Sequence, residues 1–579
     1  MAVFVAGLAG ILVFYLTVLA VGIWAGRKQK NYGEEELMLA GRSVGVFVGV
    51  FTLIATWVGG GYINATTEAI FTSGLAWCQV PIGYSLSLMI GALLFVKPMR
   101  EANYVTMLDP FQAKYGNRLG GLLFLPALCA DVFWCAAILS SLGSSLVVIL
   151  EMNSVVSILI SATFAATYIM VGGMYSVTYT DVVQLICIIF GLVLSAPFAY
   201  FHPEVSHEKM KDTSWIGEVA NEDIGSWVDG MLLLIFGGIP WQTYFQRILS
   251  IKTTKMAKQT TFFSTFGCIL IACPAIVFGI IGRSTDWPAV AEFNRNITSS
   301  DANVMLPLVL RYLIPPYVSF FGLGAITAAV MSSADASILA SSAIFARNVY
   351  KLTIRPTASE KEVMWVMRIA VLVISYSAAA VALTARSIYY LAYLCSDLVY
   401  VIMFPQLLLV VHWSNGVTKY GCLVSYAVGL ILRIVGGEPG LGIPTLIHYP
   451  MYDDVTETQK FPFRTFAMCG ALFSHIIVSC ISRWLFESGT LSADRWDFLL
   501  GFPECHLTRI DHKDSRNKDS ANKGRTNKAL HDAVVGKRLS QVSDGFYHDD
   551  DSLIIIKRDR SELTNQTSTT SEEPSISKF

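Results

Sequence analysis

An otherwise apolar chain gives up its helix-forming residues at two places, Thr56-Trp57-Val58-Gly59-Gly60-Gly61-Tyr62 and Phe236-Gly237-Gly238-Ile239-Pro240-Trp241. Glycine and proline cost about 1 and 3 kcal/mol in a helix interior, so each stretch predicts a break. Glycine also serves close helix packing, which accounts for one such site more easily than for a matched pair. Aromatic side chains flank both: Trp57 and Tyr62 at the first, Trp241 and Tyr244 at the second. Tyr84 and Trp134 lie within two other apolar runs. Most membrane tryptophans and tyrosines fill cores or form interface belts; clustering at the breaks points these elsewhere. Such rings suit a quaternary ammonium, which has no N–H for a carboxylate to select. Each ring face attracts the cation by roughly 0.5–2 kcal/mol. Three or four rings that also exclude water would reach micromolar affinity. Asp229, twelve residues before Trp241, could add attraction from the outer half of its helix. It is equally suited to a helix start, where the dipole favours an acid.

A second chemistry is written in Ala328-Ala329-Val330-Met331-Ser332-Ser333-Ala334-Asp335-Ala336-Ser337. Sodium takes hydroxyl and freed carbonyl oxygens; Ser332 and Ser333 offer the former, and a break after Trp57 offers the latter. Small-residue helix packing is the competing reading. Asp335 stands one turn from Ser332, and an acid inside a span is costly unless paired or liganding. Asp181 follows Thr178-Tyr179-Thr180 and also reads as a plain helix cap. The nine histidines have no metal-ligand spacing.

The elements that must position these residues are membrane helices. The chain is 54% hydrophobic and 15% charged, against about 25% charged in soluble proteins. Thirteen apolar runs recur: 5–25, 43–70, 74–96, 119–149, 154–172, 179–200, 227–249, 258–282, 316–348, 363–384, 388–412, 420–437 and 464–487. Lipid cannot satisfy open backbone groups, so each is expected to be helical. The first run is long enough to remain as a span rather than a cleaved signal.

Lysine and arginine concentrate in alternate loops, including Arg27, Arg42, Lys97, Arg118, Lys252, Arg347 and Lys361. The basic side is cytosolic, which puts the N-terminus outside and the C-terminus inside. The sequon Asn296-Ile297-Thr298 then falls outside, as a glycosylation acceptor must. The two breaks lie five spans apart, so their helices run in opposite directions. That spacing predicts a 5+5 inverted repeat, spans two to six and seven to eleven.

Residues 1–490 therefore read as one transmembrane transporter domain, and 491–579 as a disordered cytosolic tail. In the tail, Asp549-Asp550-Asp551-Ser552-Leu553-Ile554 suits capture by an endocytic adaptor, the aliphatics filling a pocket; a chance cluster accounts for it equally. Ten of the eleven cysteines lie in apolar runs and Cys505 in the tail, so no disulfide framework is implied. A net charge of −1 offers no field for nucleic acid. No Walker-type phosphate loop, nucleophile–base motif or cofactor fingerprint stands out, so neither ATP-driven transport nor an enzyme is expected.

Ala55–Ile63 resembles the second span of the high-affinity choline-transporting branch of the sodium/solute symporter family. Segments 103–112, 172–184, 237–247 and 329–335 are similar to that branch too, and the likeness runs through roughly residues 5–490. Sugar-transporting members carry a polar residue where Trp57 stands. The resemblance implies an all-α, leucine-transporter-type fold with about thirteen transmembrane helices. It implies sodium-driven, chloride-dependent choline import at the plasma membrane, extending to synaptic vesicles and presynaptic terminals, where it serves neurotransmitter biosynthesis. By position it implies a choline cage of Trp57, Tyr84, Trp134 and Trp241, with Asp229 near; Tyr62, beside the first break, is added to these as a substrate-binding candidate. It implies a sodium site of the Ala55, Val58 and Ala329 carbonyls with the Ser332 and Ser333 hydroxyls. Asp181 matches an acid that some members use for a second sodium, and Asp335 lies beside it. The chloride has no assigned residues. A symporter of another organic solute, and a transporter-like cation sensor or channel, stay open.

Overall fold

The computed structural model describes residues 5–27, 38–150, 153–169, 174–385 and 387–502. The tail sequence Asp549–Ile554 lies outside the described residues, as does Asn565. Helices dominate; the described strands are one antiparallel hairpin, pairing Tyr452 with Gln459 and Asp453 with Thr458. Among the described residues, nine helices are long and apolar enough to cross a bilayer, and two bent helix pairs raise the number to eleven. The two remaining predicted runs fall on shorter helices, Ser154–Ile169 of 16 residues and Lys419–Val435 of 17.

The bent pairs are the two predicted breaks. Val46–Trp57 and Gly60–Thr72 meet at 51°, and Asn221–Gly237 and Gln242–Leu249 at 40°. Gly59, between the first pair, is extended (φ −88°, ψ −177°). A Cβ there would collide with the hydroxyl of Ser333, so the close approach itself demands glycine. At the second break Pro240 has no N–H for the helical ladder, and Trp241 is extended (φ −115°, ψ 130°).

Both broken spans pack around Pro316–Ile344, which is buried along its central turns and continues as a π-helical segment, Phe345–Ile354. Its neighbours include Val5–Gly26, Phe124–Leu150 and Met174–Tyr200. A helix of small and apolar residues enclosed by others on every side belongs at the core of a bundle. The outer helices instead expose large apolar side chains, among them Leu16, Phe190, Phe262 and Trp365, as lipid contact requires. Small residues let the core helices approach closely. A Cβ at Gly191 would meet the Phe321 carbonyl and lie 2.5 Å from the Ala325 methyl group.

Gly191→Val should therefore force Met174–Tyr200 away from Pro316–Ile344, and overpacking of this kind costs about 1–3 kcal/mol. The melting point of the detergent-purified chain, followed by size exclusion after heating, should fall by several degrees. An unchanged melting curve would show that the two helices have slack at this contact.

Candidate substrate and ion sites

The two breaks face one small cavity, about 20 Å³, lined by Thr56, Trp57, Tyr84, Trp134, Gly238, Trp241, Thr243 and Ser337. Each ring arrives from a different place. Trp57 closes the first half of the first broken span, and Trp241 caps the second half of the other. Tyr84 comes from Val80–Leu94 and Trp134 from Phe124–Leu150. Ring centroids of Tyr84 and Trp134 lie 6.0 Å apart, and those of Trp134 and Trp241 6.1 Å, both edge to face. Trp57 meets Tyr244 edge-on at 5.8 Å.

The break that frees backbone groups also anchors the rings. Trp241 Nε1 donates to the Gly237 carbonyl at 2.7 Å. The Tyr84 hydroxyl donates to the Ala392 carbonyl at 2.7 Å and lies 2.8 Å from Ser396 Oγ. With their polar atoms spoken for, Trp241 and Tyr84 present apolar ring surface to the cavity. Tyr62 is elsewhere: fully buried, it donates its hydroxyl to the Cys268 carbonyl at 3.2 Å, binding the first broken span to Thr254–Ser284.

Asp229 does not line the cavity either. It accepts from the Thr465 amide (2.7 Å), the Thr465 hydroxyl (2.6 Å) and the Arg464 amide (3.2 Å). The Arg464 guanidinium stands 3.9 Å from Asp229, 3.6 Å from Asp397 and 2.8 Å from Glu438. Arg433 joins the same acids, reaching Glu438 at 2.5 Å and Asp397. This latch ties the second broken span to Phe463–Glu487 and to the turn at Ser396–Asp397. Local sequence does not mark its arginines, because the cluster gathers residues from as far apart as Asp229 and Arg464.

The two adjacent serines point to different places. Ser333 Oγ donates to the Ala329 carbonyl at 3.0 Å and faces Gly59 at the first break. Ser332 Oγ donates to Asp181 Oδ1 at 2.7 Å. Asp181 also accepts from Thr52, and Arg247 stands 3.1 Å away. Asp335 completes this cluster; one of its oxygens is buried without a hydrogen-bond partner. Of these two neighbouring carboxylates only Asp181 pairs with the guanidinium, which leaves room for another cation. Ala55 and Val58 are fully buried beside the break. Hydroxyl, carbonyl and carboxylate oxygens of this kind fit sodium.

Asn296 is exposed in the loop before Ser299–Val304. Arg295 pairs with Asp301 at 2.8 Å and holds that carboxyl down to about 2. Asn64, the sequon asparagine inside a span, is buried and donates to the Gly60 carbonyl. The ten described cysteines are all free.

The model of the sodium:solute symporter family matches residues 37–429. High-affinity choline transporter 1 of Drosophila melanogaster is 52% identical over 505 residues, 86% of this chain and 82% of the relative. The Homo sapiens protein of that name is 52% identical over 509 residues, 85% of this chain and 87% of the relative. Among solved structures, a Na+-coupled sialic acid symporter in a substrate-bound, outward-open state aligns with a TM-score of 0.66 at 17% identity. The alignment covers 82% of this chain and 98% of that one. The overlap shows the leucine-transporter-type fold.

Arg464→Gln should destabilise the chain strongly, because removing one partner of a buried ion cluster costs about 3–5 kcal/mol. Arg483→Gln is the control; its Glu487 pair is exposed, and such pairs contribute about 0–1 kcal/mol. Equal melting points for the two variants would remove the latch from the stabilising interactions.

Proposed function

The chain belongs to the sodium:solute symporter family, and from that premise we propose that it imports choline across the plasma membrane, coupled to sodium and dependent on chloride. One observation carries the choline reading. Four aromatic rings, Trp57, Tyr84, Trp134 and Trp241, converge on one cavity between two broken helices, in a chain half identical to proteins named as choline transporters. The rings hold the quaternary ammonium, and Thr56, Thr243 and Ser337 offer partners for its hydroxyl group. Tyr62 and Asp229 act at one remove, by holding the helices that carry the rings.

Sodium occupies the first break, between the carbonyls of Ala55, Val58 and Ala329 and the hydroxyl of Ser333, and Ser332, turned to Asp181, joins this site to the neighbouring acids. A second sodium binds at Asp181 and Asp335. An ion held between the break and Pro316–Ile344 fixes Trp57, and this links ion occupancy to the shape of the cavity. One sodium moving down a tenfold gradient and about 60 mV supplies roughly 2.8 kcal/mol. The charge of choline adds about 1.4 kcal/mol, enough together for a gradient near a thousandfold. Basic loops support a cytosolic face with the N-terminus outside, and exposure of Asn296 supports its glycosylation. Adaptor capture at Asp549, Leu553 and Ile554, and residence in presynaptic vesicles, extend the proposal to trafficking.

Trp57→Ala should raise the apparent choline constant tenfold or more, a buried ring–cation contact being worth about 1–2 kcal/mol. Tyr62→Phe should leave that constant within about twofold, since only a hydroxyl remote from the cavity is lost. Labelled-choline uptake, normalised to surface protein, checks both; normal uptake by the alanine variant would remove Trp57 from the cage.

Ser332→Ala with Ser333→Ala should abolish sodium-driven accumulation while the protein still reaches the surface, because both replacements keep small, helix-compatible side chains. Unchanged sodium dependence of uptake in the double variant would refute the ion assignment.

A further inference from the structure

Most other acids buried within the bundle have partners or a cation at hand. Asp181 pairs with Arg247 at 3.1 Å, and Asp335, though it forms no ion pair among the described residues, lies in the field of the same guanidinium. Asp397 and Glu438 share Arg433 and Arg464, and Asp229 pairs with Arg464. Glu68 accepts the amides of Ile388 and Tyr389 at 2.9 and 3.2 Å, capping a helix start. Asp131 differs. It lies inside Phe124–Leu150, is 5% exposed, and forms no ion pair with any described side chain. An acid in a span is costly without a partner, and the missing partner is a functional question.

The surroundings of Asp131 narrow the answer. Ser341 of Pro316–Ile344 stands beside it, wholly buried, its hydroxyl close to the carboxylate but without a hydrogen-bond partner. The thiols of Cys135 and Cys395 are the other near groups. Cys395 Sγ lies 3.2 Å from the Tyr84 hydroxyl, so this pocket adjoins the aromatic cavity. Asp131 is one turn from Trp134, and Ser341 one turn from Ser337, both of which line that cavity. The two helices are five spans apart and run in opposite directions, so both steps lead the same way. That way is towards Arg118 and Arg347, the basic and therefore cytosolic face.

We propose that Asp131 and Ser341 form a second, transient station for the transported organic cation, one turn to the cytosolic side of the aromatic cavity. The chemistry selects the occupant. Sodium needs several oxygen ligands, whereas one carboxylate, one hydroxyl and two thiols supply too few. A weakly hydrated quaternary ammonium needs only a compensating charge and a soft, apolar wall. The cation released by the rings would meet the carboxylate next, which lowers the barrier to leaving the cage inward. The inference rests on the reading of the cavity as the choline site.

The test uses the full chain reconstituted in vesicles, with labelled choline and four variants. Asp131→Asn should lower maximal uptake fivefold or more and raise the apparent constant for choline on the cytosolic side, measured by exchange. Its apparent constants for outside choline and for sodium should stay within about twofold of wild type. Asp131→Glu should restore at least half of the lost rate, which a merely structural role would not require. Ser341→Ala, which keeps a small side chain, should show the same split more weakly and serves where Asp131→Asn fails to fold. Trp57→Ala runs in parallel. If it weakens outside choline while Asp131→Asn and Ser341→Ala transport normally, the cage stands and the station is overturned. If the sodium constant shifts instead, the carboxylate is an ion ligand and the station is again overturned. If Trp57→Ala is also normal, the cavity reading fails and takes the station with it.

Discussion

A helix interrupted inside hydrocarbon exposes carbonyls and amides that no water can satisfy, and the centre of this chain is arranged around two such interruptions. Everything near them answers that demand. Trp241 returns its indole N–H to the Gly237 carbonyl. Gly59 lets Ser333 come close enough to reach the broken backbone region. Pro240 removes a donor that would otherwise need a partner. The result is a polar seam, enclosed by apolar helices, at which rings and oxygens can be aimed at a cation. The same seam accounts for the small residues of the central helix Pro316–Ile344: bulk there would push the breaks apart.

The two interruptions carry different burdens. The first is held against Pro316–Ile344 through Gly59 and Ser333, near the cluster of Asp181, Asp335 and Arg247. The second is held from its upper half, where Asp229 is gripped by Thr465 and by Arg464. Tyr84 reaches a third element, bonding at Ala392 and Ser396 beside the acid Asp397 that belongs to the latch. Cavity wall and latch are therefore built on adjacent residues of one turn. A change in one has a short mechanical path to the other.

Much of this was legible in the sequence, because glycine and proline together inside an apolar run disfavour a continuous helix whatever surrounds them. The two breaks, and the four rings that the structure brings to one cavity, followed from that signal together with the family resemblance. What stayed hidden has a common cause. Consecutive helical residues differ by about 100° in direction, so composition cannot say that Ser332 faces Asp181 while Ser333 faces the break. Tyr62 lies beside the first break in sequence yet points at Cys268 for the same reason. Asp229 was read by its distance from Trp241, whereas its partner Thr465 is 236 residues away. Ser337 was visible as part of a small-residue run, and only the packing of that run against Trp134 and Tyr84 makes it a cavity residue.

Cation recognition by the rings and ion binding at the first break are, on this account, coupled. Vesicles containing the purified chain, loaded without sodium and given labelled choline outside, test it directly. An inward sodium gradient should drive accumulation well above equilibrium, and replacing sodium by lithium at the same membrane potential should abolish it. Choline entry that stops at equilibrium, or that proceeds equally in lithium, would contradict the coupling and leave a passive cation pathway in its place.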